Sequence, residues 1–315
     1  MDRMLRGILF GLGACAAWGL TFVIPGLMTG ASPIEITIGR YFIFGLISSF
    51  IFLKEFLRHK PTYSWRIWAK AFQLSIVSTL IYYVSLIFAL RYSSPPLTAM
   101  IQGISPVVIA FYANWKTKEV SFKHLMLPSL LITIGLVIIN IPYLEETPSL
   151  TSYSIGLLFN LSALSAWSWF VFANSKFLND HPDVKSNNWV NLIGLMTMIW
   201  VIALSAILLS ISDFRIEFTK YLAFTDLLWK FLVGSLVLGV ISSWLAIFLW
   251  NKASLNLPVS LAGQLTIFQT IFGVTFIYIV NQSFPSLLEG FGIILMFLAI
   301  AYAIKSTPTK KILRD

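Results

Sequence analysis

Apolar residues along this chain fall into ten stretches, which are separated by short polar or proline-containing segments. Each stretch is about 20 residues long, the length at which an α-helix crosses the hydrocarbon core of a bilayer. The pattern therefore predicts an all-α membrane protein with ten transmembrane helices. The predicted spans are 7–29, 34–53, 71–90, 95–115, 125–142, 153–176, 189–210, 231–250, 257–280 and 286–304. Because ten spans use most of the 315 residues, we expect residues 1–315 to form a single integral membrane domain.

The sixth stretch opens with a sequence that resembles the opening of the first. At a shift of 149 residues, seven of the twelve positions in Gly7–Trp18 are identical to those in Gly156–Trp167. A second correspondence, at a shift of 162 residues, links the fourth and ninth spans. Each half then holds five spans, and a repeat with an odd number of spans enters the membrane in the opposite orientation. The pattern predicts two inverted five-helix repeats, over 5–142 and 153–304, an architecture found in secondary transporters.

The distribution of charge predicts the orientation of the chain. Charged residues make up only 11% of it, against about 25% in a soluble domain. With the N-terminus inside, seventeen lysines and arginines fall in cytoplasmic segments and four in outer loops. The positive-inside rule then places both termini in the cytoplasm. The same rule explains the net charge of +9 without a nucleic-acid partner. We expect a multi-pass protein of the bacterial inner (plasma) membrane.

The residues that carry enzyme chemistry are sparse in the predicted spans. The three histidines lie in predicted loops, and no aspartate lies within a span. Cys15 is the single cysteine, which excludes an internal disulfide and a cysteine-based zinc site. There is no glycine-rich phosphate loop, which argues against ATP as the energy source. The sequence predicts no catalytic site, no metal site and no cofactor.

Several short motifs resemble a known family. They are Ala16-Ala17-Trp18-Gly19, Ser32-Pro33-Ile34-Glu35, Arg40-Tyr41, Ala89-Leu90-Arg91-Tyr92-Ser93, Gly156–Trp167 and Glu289-Gly290-Phe291-Gly292. Together they resemble the drug/metabolite transporter (DMT) superfamily, specifically its EamA-type members, over nearly the whole chain. The resemblance implies a ten-helix inverted repeat that moves small organic solutes, often exporting amino acids, with helices 1–4 and 6–9 around a central cavity. The second half departs from the pattern, since Phe268 corresponds to Pro106 and the seventh span has no arginine like Arg40.

Arg40 is the one basic residue predicted to lie away from the ends of a span, roughly 10 Å below the outer end of the second helix. A charge at that depth is costly unless water or a partner faces it. As a functional residue, Arg40 would hold a substrate carboxylate by bidentate hydrogen bonds. The alternatives are that it reaches back to the interface or pairs with Glu35 or Glu289. These two carboxylates are also the candidates for proton coupling.

Aromatic residues deep in the predicted spans are the second group of candidates. They are Trp18, Trp167, Trp169 and Trp244, with Tyr82 and Tyr83 in the third span. Tryptophans of membrane proteins usually lie at the interface, as we expect for Trp65, Trp68, Trp115, Trp189, Trp229 and Trp250. The deep ones either pack against helices and lipid or line the cavity. In a cavity they would stack on aromatic substrates or hold a quaternary ammonium group by cation–π attraction.

Two glutamines and two prolines complete the candidate residues. Gln102 and Gln264 correspond at the shift of 162 residues, and each either binds substrate or forms hydrogen bonds between helices. Pro25 and Pro106 lie inside predicted spans, where proline kinks a helix, so we predict hinges there.

The sequence thus predicts a secondary transporter of small organic metabolites that works by alternating access and is not an enzyme. Export of amino acids or related metabolites is the first interpretation. Uptake of a quaternary amine such as choline is the second, and the two differ in their need for Arg40. A different class, a non-transporting lipid-modifying enzyme or assembly subunit, is the third. The expected partners are a small-molecule substrate and the lipid bilayer, with protons as a candidate coupling ion. Whether the protein is a monomer or a homodimer stays open.

Overall fold

The computed structural model describes residues 3–60, 62–93, 98, 101–118, 121–140, 150–210, 218–221 and 225–306. In this part of the chain, ten helices form an all-α bundle. They are α1 (Arg3–Leu27), α2 (Pro33–His59), α3 (Trp65–Tyr92), α4 (Ser105–Thr117), α5 (Phe122–Asn140), α6 (Leu150–Asp180), α7 (Ser186–Ser210), α8 (Asp226–Ser254), α9 (Val259–Asn281) and α10 (Leu287–Ser306). A short 3-10 helix, Phe218–Tyr221, lies between α7 and α8.

Nine of the helices in the described residues are long and apolar enough to cross a membrane. The exception is α4, whose described helix has 13 residues; the start of the predicted span 95–115 lies outside the described residues. Large apolar side chains cover the outside of the bundle, among them Phe50 (70% exposed) and Leu158 (69% exposed). A surface of this kind suits lipid and not water. The prediction of an all-α membrane protein is therefore confirmed.

The helices of the two halves of the chain pack on one another throughout the bundle. α2 packs on α7, α4 on α9 and α5 on α10. In addition, α1 packs on α8 and α9, whereas α6 packs on α3 and α4. Small residues allow the closest of these contacts: a Cβ atom on Gly135 of α5 would lie 2.8 Å from the carbonyl oxygen of Gly292 of α10. The interior between the halves is thus built from elements of both.

Two helices change geometry next to the prolines that we predicted to interrupt them. In α1, a 3-10 turn over Leu20–Phe22 precedes a last α-helical turn that contains Pro25. Directly before α4, Ile104 separates helical residues 101–103 from the segment that begins with Ser105 and Pro106. Proline lacks the backbone N–H and clashes with the preceding turn, which accounts for both interruptions. Whether either point acts as a hinge stays a prediction.

Three further irregularities were not expected from the sequence. α9 is interrupted at Thr266, between Val259–Leu265 and Ile267–Asn281, although it contains no proline there. α3 contains a π-helical segment, Ile76–Ile81, and α8 contains another, Val237–Leu245. π-Helical turns are frequent at functional sites, because they displace side chains and carbonyl groups from the regular helical positions. The segment in α8 contributes directly to the site described next.

Candidate functional site

An unbroken series of aromatic contacts runs through the middle of the bundle. The ring of Trp18 lies 5.5 Å from that of Trp250 and 5.4 Å from that of Trp167, centroid to centroid. Trp167 in turn lies 5.2 Å from Tyr82. These distances and the nearly perpendicular rings of Trp18 and Trp167 are those of favourable aromatic pairs. Helices α1, α3, α6 and α8 are thereby joined through their side chains.

The series continues through three tyrosines to a cation. Tyr82 lies 6.5 Å from Tyr83, and Tyr83 lies 5.9 Å from Tyr41 of α2. The guanidinium carbon of Arg40 lies 5.1 Å from the ring centroid of Tyr41, within cation–π range. We call Trp250, Trp18, Trp167, Tyr82, Tyr83 and Tyr41 the aromatic row. Five of the predicted site residues, Trp18, Arg40, Tyr82, Tyr83 and Trp167, therefore lie in one continuous arrangement.

Arg40 is half-buried and is held by the π-helical segment of α8. Its Nε donates a hydrogen bond to Oγ of Ser243 at 2.9 Å, and its Nη2 donates one to the carbonyl oxygen of Ser242 at 3.2 Å. α8 comes this close because residue 239 is glycine: a Cβ there would lie 2.8 Å from the carbonyl oxygen of Arg40. A guanidinium group has five N–H donors, so donors remain for an anion.

No acidic residue pairs with Arg40 within the described ranges. The alternative pairing with Glu35 is not formed, because the Glu35 carboxylate binds Nζ of Lys220 at 2.8 Å. Glu289 accepts a hydrogen bond from the backbone N–H of Ser286 and does not form an ion pair with Arg40. Arg40 does not reach back to the interface either, since its hydrogen bonds are to α8. A half-buried cation without a counter-ion attracts an anionic ligand.

Trp244 belongs to the same region through a different set of contacts. Its Nε1 donates a hydrogen bond to Oδ1 of Asn191 at 2.8 Å, which fixes the indole between α7 and α8. Its ring stacks on Phe248 at 5.6 Å and packs against the cluster that contains Tyr41 and Tyr83. The indole N–H of Trp244 therefore already has an acceptor, and Trp244 contributes only the apolar face of its ring to the site.

The three tyrosine hydroxyl groups of the row have no hydrogen-bond partner among the residues that the structure describes. Burying a hydroxyl group without a partner costs about 1–3 kcal/mol. None of the three oxygens belongs to the fully buried, unsatisfied atoms of the structure. They can therefore be satisfied by water or by a ligand. Tyr41, Tyr82 and Tyr83 thus place three neutral hydrogen-bonding groups next to Arg40.

A cavity of about 230 Å³ lies between α2, α3 and α7. Tyr41 and Tyr83 are common to its wall and to the aromatic row. The remaining wall consists of Ile34, Thr37, Ile38, Thr79, Leu80, Val84, Ile87, Phe88, Arg91, Trp200, Val201, Leu204 and Leu208. The cavity is thus mostly apolar, with a single charged residue, Arg91.

Three of the predicted site residues make their contacts elsewhere. Nε2 of Gln102 donates to the carbonyl oxygen of Asn160 at 3.0 Å, as part of a buried polar network between α4 and α6. Trp169 lies under Nζ of Lys70, 4.9 Å from its ring centroid. Gln264 is buried, and its Nε2 has no partner among the described residues. No ring contact or hydrogen bond of the described chain joins these three to the aromatic row.

Both carboxylates predicted for proton coupling begin a helix. Ser32 Oγ accepts a hydrogen bond from the backbone N–H of Glu35, and the Glu35 carboxylate accepts one from the N–H of Ser32. Ser286 and Glu289 form the same reciprocal pair at the start of α10. This capping box satisfies backbone donors that a helix leaves open. Each glutamate therefore has a structural task, and proton coupling through either stays a prediction.

The predicted interfacial position is wrong for two tryptophans. Trp189 and Trp250, which we assigned to the membrane interface, are both fully buried. Nε1 of Trp189 donates to Oδ1 of Asn174 at 2.8 Å, and Asn174 donates to Oδ1 of Asn251 at 2.8 Å. For Trp189, Asn174 on the facing helix was the signal for burial, because an indole inside a bundle needs an acceptor. Nε1 of Trp250 has no hydrogen-bond partner among the described residues, and no such signal pointed to its burial. Trp65, Trp115 and Trp229 are exposed, in agreement with an interfacial position.

Comparison with known proteins finds similarity to one family of transporters. Residues 5–141 match the EamA-like transporter family. The Inner membrane protein YtfF of Escherichia coli (strain K12) is 28% identical over 320 residues, which cover 98% of this chain and 97% of the relative. A solved crystal structure with 18% sequence identity has a TM-score of 0.74 over 96% of this chain and 97% of the other. That likeness concerns the fold alone. The chain is thus similar to the EamA-like transporter family over residues 5–141, and to an inner membrane protein over nearly its whole length.

Proposed function

We propose that this protein is a secondary transporter of the bacterial inner membrane that exports amino acids or related carboxylate metabolites by alternating access. The observation that carries the proposal is Arg40, a half-buried cation that has no acidic partner among the described residues and lies beside the aromatic row. A free guanidinium binds a carboxylate through two parallel hydrogen bonds. The name of the Escherichia coli relative supports the inner-membrane location.

The packing of the helices supports two inverted repeats, 5–142 and 153–304. Helices five positions apart, α2 and α7, α4 and α9, and α5 and α10, pack on each other. α1 packs on α8 and α9, and the corresponding helix of the second half, α6, packs on α3 and α4, which correspond to α8 and α9 in the first half. The interruptions at Ile104 and Thr266 are separated by 162 residues, the shift that relates the two glutamines. A pseudo-two-fold axis between the halves accounts for all three observations.

In this mechanism the substrate binds between the halves, which then tilt to open the site to the other side. Pro25 and Pro106 are the proposed hinges, since α1 and α4 are interrupted at these points. Movement there would carry parts of α1 and α4 past the aromatic row. Glu35 and Glu289 stay the proposed proton-coupling groups, although protonation of either carboxylate would weaken the hydrogen bond that it accepts at the start of its helix.

Uptake of a quaternary amine such as choline is the second candidate. One observation favours it: the ring of Trp167 lies 5.4 Å from that of Trp18 and 5.2 Å from that of Tyr82, and aromatic faces bind quaternary ammonium groups. Arg40 opposes it, because a cation so near to the row repels another. The first candidate is therefore preferred.

The test is counterflow into proteoliposomes with a panel of labelled amino acids and choline, since counterflow needs no knowledge of the driving ion. We expect at least one amino acid to accumulate, and Arg40→Gln to reduce its accumulation at least tenfold, because a charge-assisted hydrogen bond contributes about 1.5–3 kcal/mol. Arg58→Gln, at the exposed end of the same helix, is the matched control and should transport normally.

Two outcomes would overturn the first candidate. Accumulation of choline alone, unaffected by Arg40→Gln, would establish the amine carrier. Full accumulation of amino acids by the Arg40→Gln variant would remove the carboxylate anchor from the mechanism.

A further inference from the structure

We propose that the cavity between α2, α3 and α7 binds an organic monoanion, with its apolar body inside the cavity and its anionic group at Arg91. The inference rests on the proposed function, because the bound anion is taken to be the transported solute. It adds a binding site with residues of its own and narrows the substrate to a class that needs no ammonium group.

The size of the cavity sets the size of the apolar body. Its volume is about 230 Å³. An apolar cavity of about 150 Å³ in another protein binds benzene. The present cavity therefore holds one benzene ring together with two or three further carbon atoms. Such a ligand would lie against aliphatic and aromatic side chains from all three helices, among them Ile38, Val84 and Leu204.

The charge at the cavity decides between anion and cation. Arg91 is exposed, and within the described part of the chain it has neither an acidic partner nor a hydrogen bond. No aspartate or glutamate is among the residues that form the wall. A carboxylate would find a free guanidinium there, whereas an ammonium group would find a like charge.

The neutral polar groups of the wall do not offset this preference. The Thr37 hydroxyl donates to the carbonyl oxygen of Pro33 at 2.6 Å. The hydroxyl oxygens of Thr79 and Thr197 lie 3.5 Å apart. The hydroxyl groups of Tyr41 and Tyr83 and the indole Nε1 of Trp200 are without partners among the described residues. A phenol or an indole N–H donates to a carboxylate readily. Free donors therefore outnumber free acceptors, which again favours an anion.

The position of Tyr41 and Tyr83 connects the cavity to the proposed transport route. Both tyrosines line the cavity and belong to the aromatic row, and Arg40 lies on the ring of Tyr41. An anion that leaves Arg91 can thus pass to the guanidinium of Arg40, which lies over the ring of Tyr41. Two cations in sequence allow a carboxylate to move without ever being buried unpaired.

The test is equilibrium binding of radiolabelled 3-phenylpropionate to the purified full-length protein in detergent, with two competitors. 3-Phenylpropylamine has the same body and the opposite charge, and acetate has the charge without the body. We expect 3-phenylpropionate to compete at least tenfold better than either. Equal competition by the amine would identify a charge-independent site for lipid or detergent tails. Equal competition by acetate would show that the cavity does not bind the apolar body, and either result would overturn the inference.

Variants locate the bound anion. Val84→Trp fills the cavity and should weaken binding at least tenfold, whereas Leu90→Trp, on the exposed side of the same helix, should not. If Val84→Trp does not fold, Leu204→Trp with Ile202→Trp as its exposed control on α7 replaces the pair. Arg91→Gln should weaken binding about tenfold and remove the preference for the anion over the amine. Unchanged binding in the filled variants would overturn the proposal.

The binding experiment tests the cavity site and the transport experiment tests the proposed function, and either proposal can be contradicted without the other. Absence of saturable 3-phenylpropionate binding overturns the cavity site but leaves amino-acid counterflow as it was found. Binding without any counterflow supports the cavity site and contradicts the transport proposal.

Discussion

Single residues of the aromatic row differ in burial, and this difference separates packing from ligand contact. Trp18 and Trp250 are 3% and 0% exposed, so each is enclosed by protein. Trp167 touches Trp18 and Tyr82 but is only partly buried. A residue that is both in the row and open to solvent is the better candidate for contact with a solute. The repeat-related pair Trp18 and Trp167 therefore does not have equivalent tasks.

This difference predicts the effects of truncating the tryptophans. Trp250→Ala should lower the melting temperature strongly, because removing a buried indole costs about 3–5 kcal/mol. Trp167→Leu should keep the melting temperature within a few degrees and reduce counterflow at least tenfold. The measurement is thermal unfolding in detergent beside counterflow of the same preparation. Normal flux in Trp167→Leu would exclude this ring from the substrate route.

From the sequence, we predicted which polar and aromatic residues lie deep in the spans better than which residues they contact. Arg40, Tyr82 and Tyr83 were selected for their depth in a span, and the structure joins them through Tyr41, which was not selected. Gln102 was selected for the same reason but forms hydrogen bonds with Asn160. Depth along a helix follows from counting residues, whereas the direction of a side chain depends on which helices become neighbours. That information is not present in a hydropathy pattern.

At the scale of whole elements, the limits of the helices followed from the sequence and their irregularities followed only in part. Apolar length places the spans to within several residues, and proline chemistry explains the interruptions in α1 and α4. The interruption at Thr266 and the π-helical segments of α3 and α8 have no such local cause in the sequence. In α8 the irregular backbone coincides with the hydrogen bonds to Arg40, a tertiary contact that a hydropathy pattern does not contain.

The close approach of α2 and α8 makes Gly239 a sensitive position. A Cβ there would meet Ile43 at 2.6 Å and the carbonyl oxygen of Arg40 at 2.8 Å, so Gly239→Ala must move α8 away. We expect a loss of about 1–3 kcal/mol from this overpacking, and weaker transport because Ser242 and Ser243 move with the helix. Gly290→Ala in α10 is the control, since a Cβ there meets nothing within 4 Å. Melting temperature and counterflow of the two variants are compared; equal behaviour would contradict the argument.

The 3-10 helix Phe218–Tyr221 is attached to the start of α2 by a contact that depends on pH. The Tyr221 hydroxyl donates to the Glu35 carboxylate at 3.2 Å, and burial, with the neighbouring carboxylate, raises the pKa of Tyr221 above its ordinary value of 10.0. The folded protein thus holds the phenol proton more tightly than the unfolded chain does. The stabilisation is complete below pH 10 and is lost as the pH rises above it.

The expected result is a melting temperature that falls as the pH rises above about 10, and falls less in Tyr221→Phe than in the unchanged protein. Tyr302→Phe, which removes an exposed tyrosine from α10, is the control and should leave the alkaline fall unchanged. A parallel fall in all three proteins would show that the Tyr221 contact contributes nothing to it.

At the scale of the whole molecule, orientation is the property on which the transport direction depends. The excess of lysine and arginine, seventeen against four, predicts that the loop between α2 and α3 lies in the cytoplasm and the loop between α9 and α10 outside. This assignment puts the cavity in the outer half of the bundle, since it is lined by the first residues of α2 and the last of α3. Arg91 would then be the last cation that an exported anion meets.

Labelling of introduced cysteines tests the orientation, because the protein offers a clean background. Its single cysteine, Cys15, is fully buried and should not react with a charged reagent. Gln282→Cys, in the loop after α9, should react with a membrane-impermeant maleimide in cells whose outer membrane is permeabilised. Ser64→Cys, in the loop before α3, should react only after the inner membrane is opened. The reverse pattern would invert the bundle, place the cavity on the cytoplasmic side and make Arg91 the first cation that an exported anion meets.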